Sequence, residues 1–220
     1  MVITVDAFKI AYMALPKAGC TSVKAALAQI DPAVEIAPDE PNLIRAWHTA
    51  YPTTRFRPHR WDAVADHWRF CVVRDPVKRL MSGYLDRVVK RGELKNSRRL
   101  ARGDFPHLTD DPDPDFFFQN LWDYAEASSV VKHHVAEAWL FLGPGPITDH
   151  YDRIYRTEEM PYLAEALAAR SRLPVSIPKA NSTGAKMTLD DLKPATRDAL
   201  RSYLAAEYAY LKGFYDNPMG

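Results

Sequence analysis

Residues 12–27, YMALPKAGCTSVKAAL, constrain this chain more than any other stretch. The apolar run FKIAYMAL over 8–15 is short, partly aromatic and stopped by Pro16, as a buried strand would be. From Thr21 to Ile30, Val23, Ala26, Leu27 and Ile30 recur on one helical face. Between strand and helix lies a turn of Lys, Ala, Gly and Cys. A strand, a tight turn and a helix start bring backbone N–H groups and the positive end of the helix dipole to one point, which favours an anion.

The lysine is displaced from the place a triphosphate loop gives it. That loop reads GxxxxGK[ST]. With Gly19 as its second glycine, Ala14 stands at the first, Cys20 at the lysine, and Thr21 keeps the hydroxyl. Lys17 sits inside the turn instead. A magnesium-ATP site is thereby disfavoured and an anion site is not. Thr21 or Ser22 could equally do no more than cap the helix.

A second segment repeats the layout. RFCVVRDPVKRLMSGY reads as a strand over about 69–73 that ends at Arg74, then a helix over 77–89 carrying Ser82, with Pro76 in its first turn. Ligands of open parallel sheets lie at the carboxyl ends of strands. Two such ends, each with a cation and hydroxyls, can hold two anionic groups of one ligand, and the planar fork of Arg74 suits a phosphate. A third short strand is expected near Ile154. Helices are expected over 116–128, 130–143, 160–170 and 189–211, the last opened by a capping box at Thr188 and Asp191. Residues 31–60, rich in proline, and 91–115, basic then acidic, read as loops. Strands alternating with helices argue for an α/β domain with a small parallel sheet. The 220 residues suit a single domain, 1–220.

Bulk composition excludes several classes. The 29 basic and 28 acidic residues nearly cancel, so net charge gives no reason to expect nucleic acid or a membrane surface as partner. No apolar stretch is long enough to span a bilayer. The N-terminal residues lack the form of a signal peptide, and two cysteines imply no disulfide framework, so a cytoplasmic protein is expected. Cys20 reads as a small filler beside the anion or as a reactive thiol. The basic run 90–102 reads as a solvated loop, or as a surface that steers an anionic acceptor.

LPKAGCTS and VVRDPVKRLMSGY together resemble the sulfotransferases, specifically the Golgi-type carbohydrate sulfotransferases and their bacterial relatives. The first resembles that family's 5′-phosphosulfate loop and the second its 3′-phosphate motif. HYDRIYRTEEM resembles the family's D-x-[IV]-x-[KR]-x-E segment through Asp152, Ile154, Arg156 and Glu158. PKANSTG resembles its N-x-[ST] loop through Asn181 and Thr183, and EYAYLKGFYD resembles its ending, altered at Glu207 and Tyr208. KHHVAEAW resembles an H-x-x-x-Q segment, with Glu137 at the Gln and Ala136 at a neighbouring proline.

The resemblance implies a P-loop-like three-layer fold, a small central parallel sheet flanked by helices. It implies 3′-phosphoadenosine 5′-phosphosulfate (PAPS) as sulfuryl donor, adenosine 3′,5′-bisphosphate as product, and a hydroxyl acceptor, most simply on a carbohydrate. Lys17, Ala18, Gly19, Cys20, Thr21 and Ser22 would cradle the phosphosulfate, Lys17 at the bridging oxygen. Arg74 and Ser82 would hold the 3′-phosphate, with Asn181 near the donor. No metal is required, because lysine and the helix N-terminus meet the leaving group. His48, in WHTAYP, is the candidate base. His67, His133, His134 and Glu158 are the other candidates. A kinase-like phosphotransferase and a nucleotide-binding module without turnover are the alternatives.

Overall fold

The computed structural model describes residues 2–37, 39–178 and 186–220. The chain forms two compact units, one of Met1–Arg74 and Ala138–Ser182, the other of Asp75–Glu137 and Thr183–Gly220. Its elements begin with β1 (Ile3–Val5), β2 (Ile10–Met13), α1 (Cys20–Leu27), α2 (Leu43–Ala50), α3 (Pro58–Asp62), β3 (Trp68–Val73) and α4 (Pro76–Tyr84). A π-helical stretch at Leu85–Lys90 precedes α5 (Arg98–Ala101), α6 (Pro114–Gln119), α7 (Leu121–Ala127), α8 (Ser129–Val135) and α9 (Trp139–Leu142). Then come β4 (Arg153–Arg156), α10 (Met160–Ser171) and α11 (Pro194–Tyr210).

The four strands lie in the first unit as one sheet in the order β1-β2-β3-β4. β2, β3 and β4 run parallel, with Tyr12 opposite Phe70 and Cys71 opposite Ile154. β1 is antiparallel to β2, so the sheet is mixed where the sequence led to a parallel one. Only residues 6–9 join the two strands, too few for a crossover, and the chain must turn back. A 3₁₀ turn at Asp6–Phe8 followed by left-handed Lys9 (φ 50°) makes the reversal. Every residue of β2 is buried, which explains its unbroken apolar sequence.

Helices cover this sheet. Val23, Ala26 and Leu27 of α1 and Leu163 and Leu167 of α10 share one apolar core with Ile10, Tyr12, Phe70 and Val72. Each fully buried leucine is worth about 1.5–3 kcal/mol by transfer. Tyr12 and Trp68 both stack on Phe70 at 4.9 Å. The first unit is therefore α/β, a small sheet flanked by helices. Because β2, β3 and β4 are parallel, their carboxyl ends share one edge, where the anion was expected.

The second unit is helical, with Leu80, Phe117, Phe118, Tyr124 and Leu204 central to its core. α4 starts where Pro76 fixes the first turn and the Asp75 carboxylate accepts from the Lys78 N–H (2.9 Å). Asp75 also accepts from the Tyr208 hydroxyl (2.8 Å). Arg79 is wholly buried; its Nη2 meets Glu207 (2.7 Å), the Tyr203 hydroxyl (2.8 Å) and the Ala136 carbonyl (2.9 Å).

Two expected loops carry more structure than their sequences suggested. Residues 31–60 hold α2 and α3, whose shortness and flanking prolines hide any period; Asn42 caps α2 by accepting from Arg45 N–H (3.0 Å). In 91–115 the two charge signs meet: Lys95–Asp111 (3.5 Å), Arg99–Asp104 (3.3 Å) and Arg102–Asp104 (2.9 Å). The expected helices over 116–128 and 130–143 divide into α6, α7, α8 and α9. The first splits at Asn120 (φ −111°, ψ 27°) and the second at Ala136 (φ −58°, ψ 149°), while the expected break between them falls at Ser128, whose extended backbone caps α8 by accepting from the Val131 N–H (3.3 Å). The capping box at Thr188 and Asp191 is present, although it opens a short 3₁₀ turn before α11.

Candidate active site

The loop between β2 and α1 turns on two left-handed residues, Lys17 (φ 65°) and Gly19 (φ 74°). Glycine suits the second, where the left-handed backbone disfavours a side chain and a Cβ would have to displace the Met160 methyl, the end of a flexible side chain. Lys17 holds a strained conformation for a side-chain-bearing residue, and its carbonyl accepts from Arg74 Nη1 at 2.9 Å. Arg74 directly follows β3, the parallel neighbour of β2, so the sheet delivers it to the loop. Ala18 N–H closes the turn on the Leu15 carbonyl (3.2 Å).

Helix α1 then begins at Cys20, with Gly19 as an N-cap that offers no side-chain bond. Thr21 and Ser22 are buried at its first turn (8% exposed each). The positive dipole end, the Lys17 cation, two hydroxyls and the Arg74 fork thus stand at one strand edge. That donor set suits a phosphate-like anion.

α2 brings His48 to the same place. Its Nε2 lies 3.0 Å from Thr21 Oγ1, and its Nδ1 lies 3.1 Å from Lys24 Nζ. Lys24 Nζ also donates to Thr53 Oγ1 at 2.7 Å. Lys24 is 0% exposed, and burial pushes its pKa below the ordinary lysine value. The sequence reading missed this residue. No local signal marks it: a lone lysine in CTSVKAAL would ordinarily face water, and its burial appears only in the folded chain, where His48 of α2 and Thr53 meet it.

The remaining candidates are scattered. His67 precedes β3, at the opposite end of that strand from Arg74, and its ring nitrogens meet Asp66 (2.8 Å) and Asp6 (3.1 Å). His133 and His134 belong to the second unit; their rings meet edge to face, and His134 Nδ1 contacts the Val130 carbonyl (2.8 Å). Glu158 follows β4 and accepts from Thr157 Oγ1 (3.1 Å), in the turn that packs near Gly19. Ser82 lies on α4 in the second unit, half-buried. Asn181 and Thr183 lie outside the described residues. Both cysteines are free thiols; Cys20 is half-buried, and burial pushes the pKa of Cys71 well up.

Several family-like positions have structural duties. Asp152 pairs with Arg69 through the backbone and its carboxylate (2.9 and 2.7 Å), aligning β4 beside β3. Glu207 and Tyr208 partner Arg79 and Asp75 inside the second unit. Among the described residues no group of three His, Cys, Asp or Glu is placed to hold a metal ion, and no helix is long and apolar enough to cross a membrane.

No curated protein matches the sequence. The crystal structure of a sulfotransferase from Alicyclobacillus acidocaldarius is similar at 17% identity, covering 91% of this chain and 93% of that one, with a TM-score of 0.36. The sequence profile described as the sulfotransferase family matches residues 1–211, almost the whole chain and both of its units. The chain belongs to the sulfotransferase family.

Proposed function

We propose that this protein transfers a sulfuryl group from PAPS to a hydroxyl, most simply on a carbohydrate, and that residues 1–220 work as one sulfotransferase domain. The observation that carries the reading is the 3.0 Å approach of His48 Nε2 to Thr21 Oγ1. A histidine chosen as base and a hydroxyl chosen for the donor loop, 27 residues apart in sequence, meet at the N-terminus of α1.

Bound PAPS supplies an electron-poor sulfuryl group and a phosphate leaving group. Lys17 and the first turn of α1, Gly19 to Ser22, stabilise the negative charge that grows on the bridging oxygen, as in other loose group transfers. Ala18 shapes the turn, and Cys20 fills it. Arg74 holds the Lys17 carbonyl and so fixes the loop. Arg74 and Ser82 are assigned to the 3′-phosphate, and Asn181 to the donor, on their motifs alone. His48 Nε2 takes the acceptor's proton as its oxygen bonds to sulfur. The free thiols fit a reducing compartment, and we place the protein in the cytoplasm.

Calorimetry with adenosine 3′,5′-bisphosphate in the presence of a chelator tests the donor assignment. Binding that persists without metal is expected; binding of ATP with Mg²⁺ in preference to the bisphosphate would overturn it in favour of a phosphotransferase. Radiolabelled PAPS with a panel of glycans and small alcohols then tests turnover. Label transferred to a hydroxyl is expected, and bisphosphate binding with no transfer to any acceptor would point to a module without turnover.

A further inference from the structure

Lys24 is an unusual residue for its position. It is 0% exposed in the middle of a buried helix, and among the described residues no carboxylate pairs with it. A buried ammonium without a counterion costs several kcal/mol, and such a lysine is relieved by losing its proton. The titratable groups that face it are His48 on α2 and Cys20, one turn back on α1. Its polar contacts are His48 Nδ1 at 3.1 Å and Thr53 Oγ1 at 2.7 Å.

These contacts admit two proton arrangements. An ammonium at Lys24 could only donate, which would leave Nδ1 bare and the His48 proton on Nε2. Nε2–H would then donate to Thr21, and His48 would have no lone pair for an acceptor. A neutral amine has one lone pair. It can accept from Nδ1–H while donating to Thr53, which puts the imidazole lone pair on Nε2, beside the donor loop.

We propose that Lys24 is a positioning residue that works as a free amine, holding His48 in the Nδ1–H tautomer so that Nε2 serves as the base. Resting on the sulfotransferase reading above, this gives the amine the place that a carboxylate takes behind histidine in hydrolase triads. When the acceptor O–H bond breaks and its proton bonds to Nε2, the imidazolium formed is still hydrogen-bonded through Nδ1–H to a lone pair.

Two-bond ¹H–¹⁵N correlation spectra of protein labelled in histidine report the tautomer directly, with His48 assigned by loss of its signal in His48→Gln. The wild-type protein without ligand is expected to show the Nδ1–H pattern at the pH of maximal activity. The Nε2–H pattern there would overturn the proposal whether or not the protein transfers sulfate, and the Nδ1–H pattern without sulfuryl transfer would instead count against the sulfotransferase reading. Lys24→Met supplies a second readout. It is expected to fold, release the tautomer preference and lower kcat by about 10- to 100-fold, with bisphosphate affinity unchanged within about twofold. Retained kcat, or loss of bisphosphate binding in step with kcat, would overturn the positioning role.

Discussion

Arg74 Nη1 donates to the carbonyl of Lys17 at 2.9 Å. The arginine of one expected anion motif thereby fixes the backbone of the other. Arg74→Lys keeps the charge but loses the planar fork. We expect it to weaken binding of adenosine 3′,5′-bisphosphate by at least about 10-fold, with Arg74→Ala no worse than a further few-fold. Calorimetry reads both, and a fully competent lysine variant would show that only charge matters there.

Lys17→Ala tests the catalytic cation. Removing one preorganised donor to a growing charge costs about 10²–10³ in kcat. Because the loop backbone remains, bisphosphate affinity should fall far less than kcat. Equal losses in both would reassign Lys17 from transition-state stabilisation to plain binding.

Gly19→Ala meets the left-handed backbone penalty, and its Cβ must also push aside the Met160 methyl, the end of a flexible side chain. About 1–3 kcal/mol of stability should be lost. Adding Met160→Ala removes the contact but not the backbone strain, so urea denaturation should show partial recovery. Full recovery would mean that the conformation of Gly19 carries no cost.

Arg79 and Glu207 form an ion pair, both at 1% exposure or less. Among the described residues, Nε and Nη1 of Arg79 have no hydrogen-bond partner, so the guanidinium depends on its Nη2 contacts. Glu207→Leu should cost about 3–5 kcal/mol, and the double change with Arg79→Met should recover most of it. A double variant as unstable as the single one would show that packing, not charge, is responsible.

Lys9, with His67 as second partner, holds the carboxyl of Asp66 down at about 2, against an ordinary value of 3.8. A depressed carboxylate contributes stability in full above its unfolded value and loses it as pH falls toward its folded one. Asp66→Asn should therefore flatten part of the acid stability profile between about pH 4 and pH 2. The effect should be small and should shrink in salt, because Lys9 and Asp66 are both more than half exposed. Superimposable wild-type and Asp66→Asn profiles at low salt would show that the pair contributes nothing.

The sequence determined the elements that short-range chemistry can specify. An unbroken apolar run marked β2 and β3, Asp75-Pro76 marked the start of α4, and Thr188 and Asp191 marked a capping box. It also named Lys17, Arg74 and His48 from two loops and one isolated histidine. Elements shorter than about two turns, such as α3 and α5, escaped it, since periodicity needs length to be seen.

Tertiary structure alone decided which of these groups meet. His67 and His48 are both loop-flanked histidines in sequence. Parallel strand order puts the first at the amino end of β3 and α2 puts the second on the donor loop. The reach of Arg74 to Lys17 depends on β2 and β3 being neighbours, a long-range pairing that no local pattern encodes. Lys24 shows the same division most sharply. Its sequence neighbours do not show that it is buried, and its Nδ1 partner comes from a separate helix, 24 residues on. Local propensity acts over a turn or a strand, whereas a hydrogen bond between elements exists only once burial has brought them together.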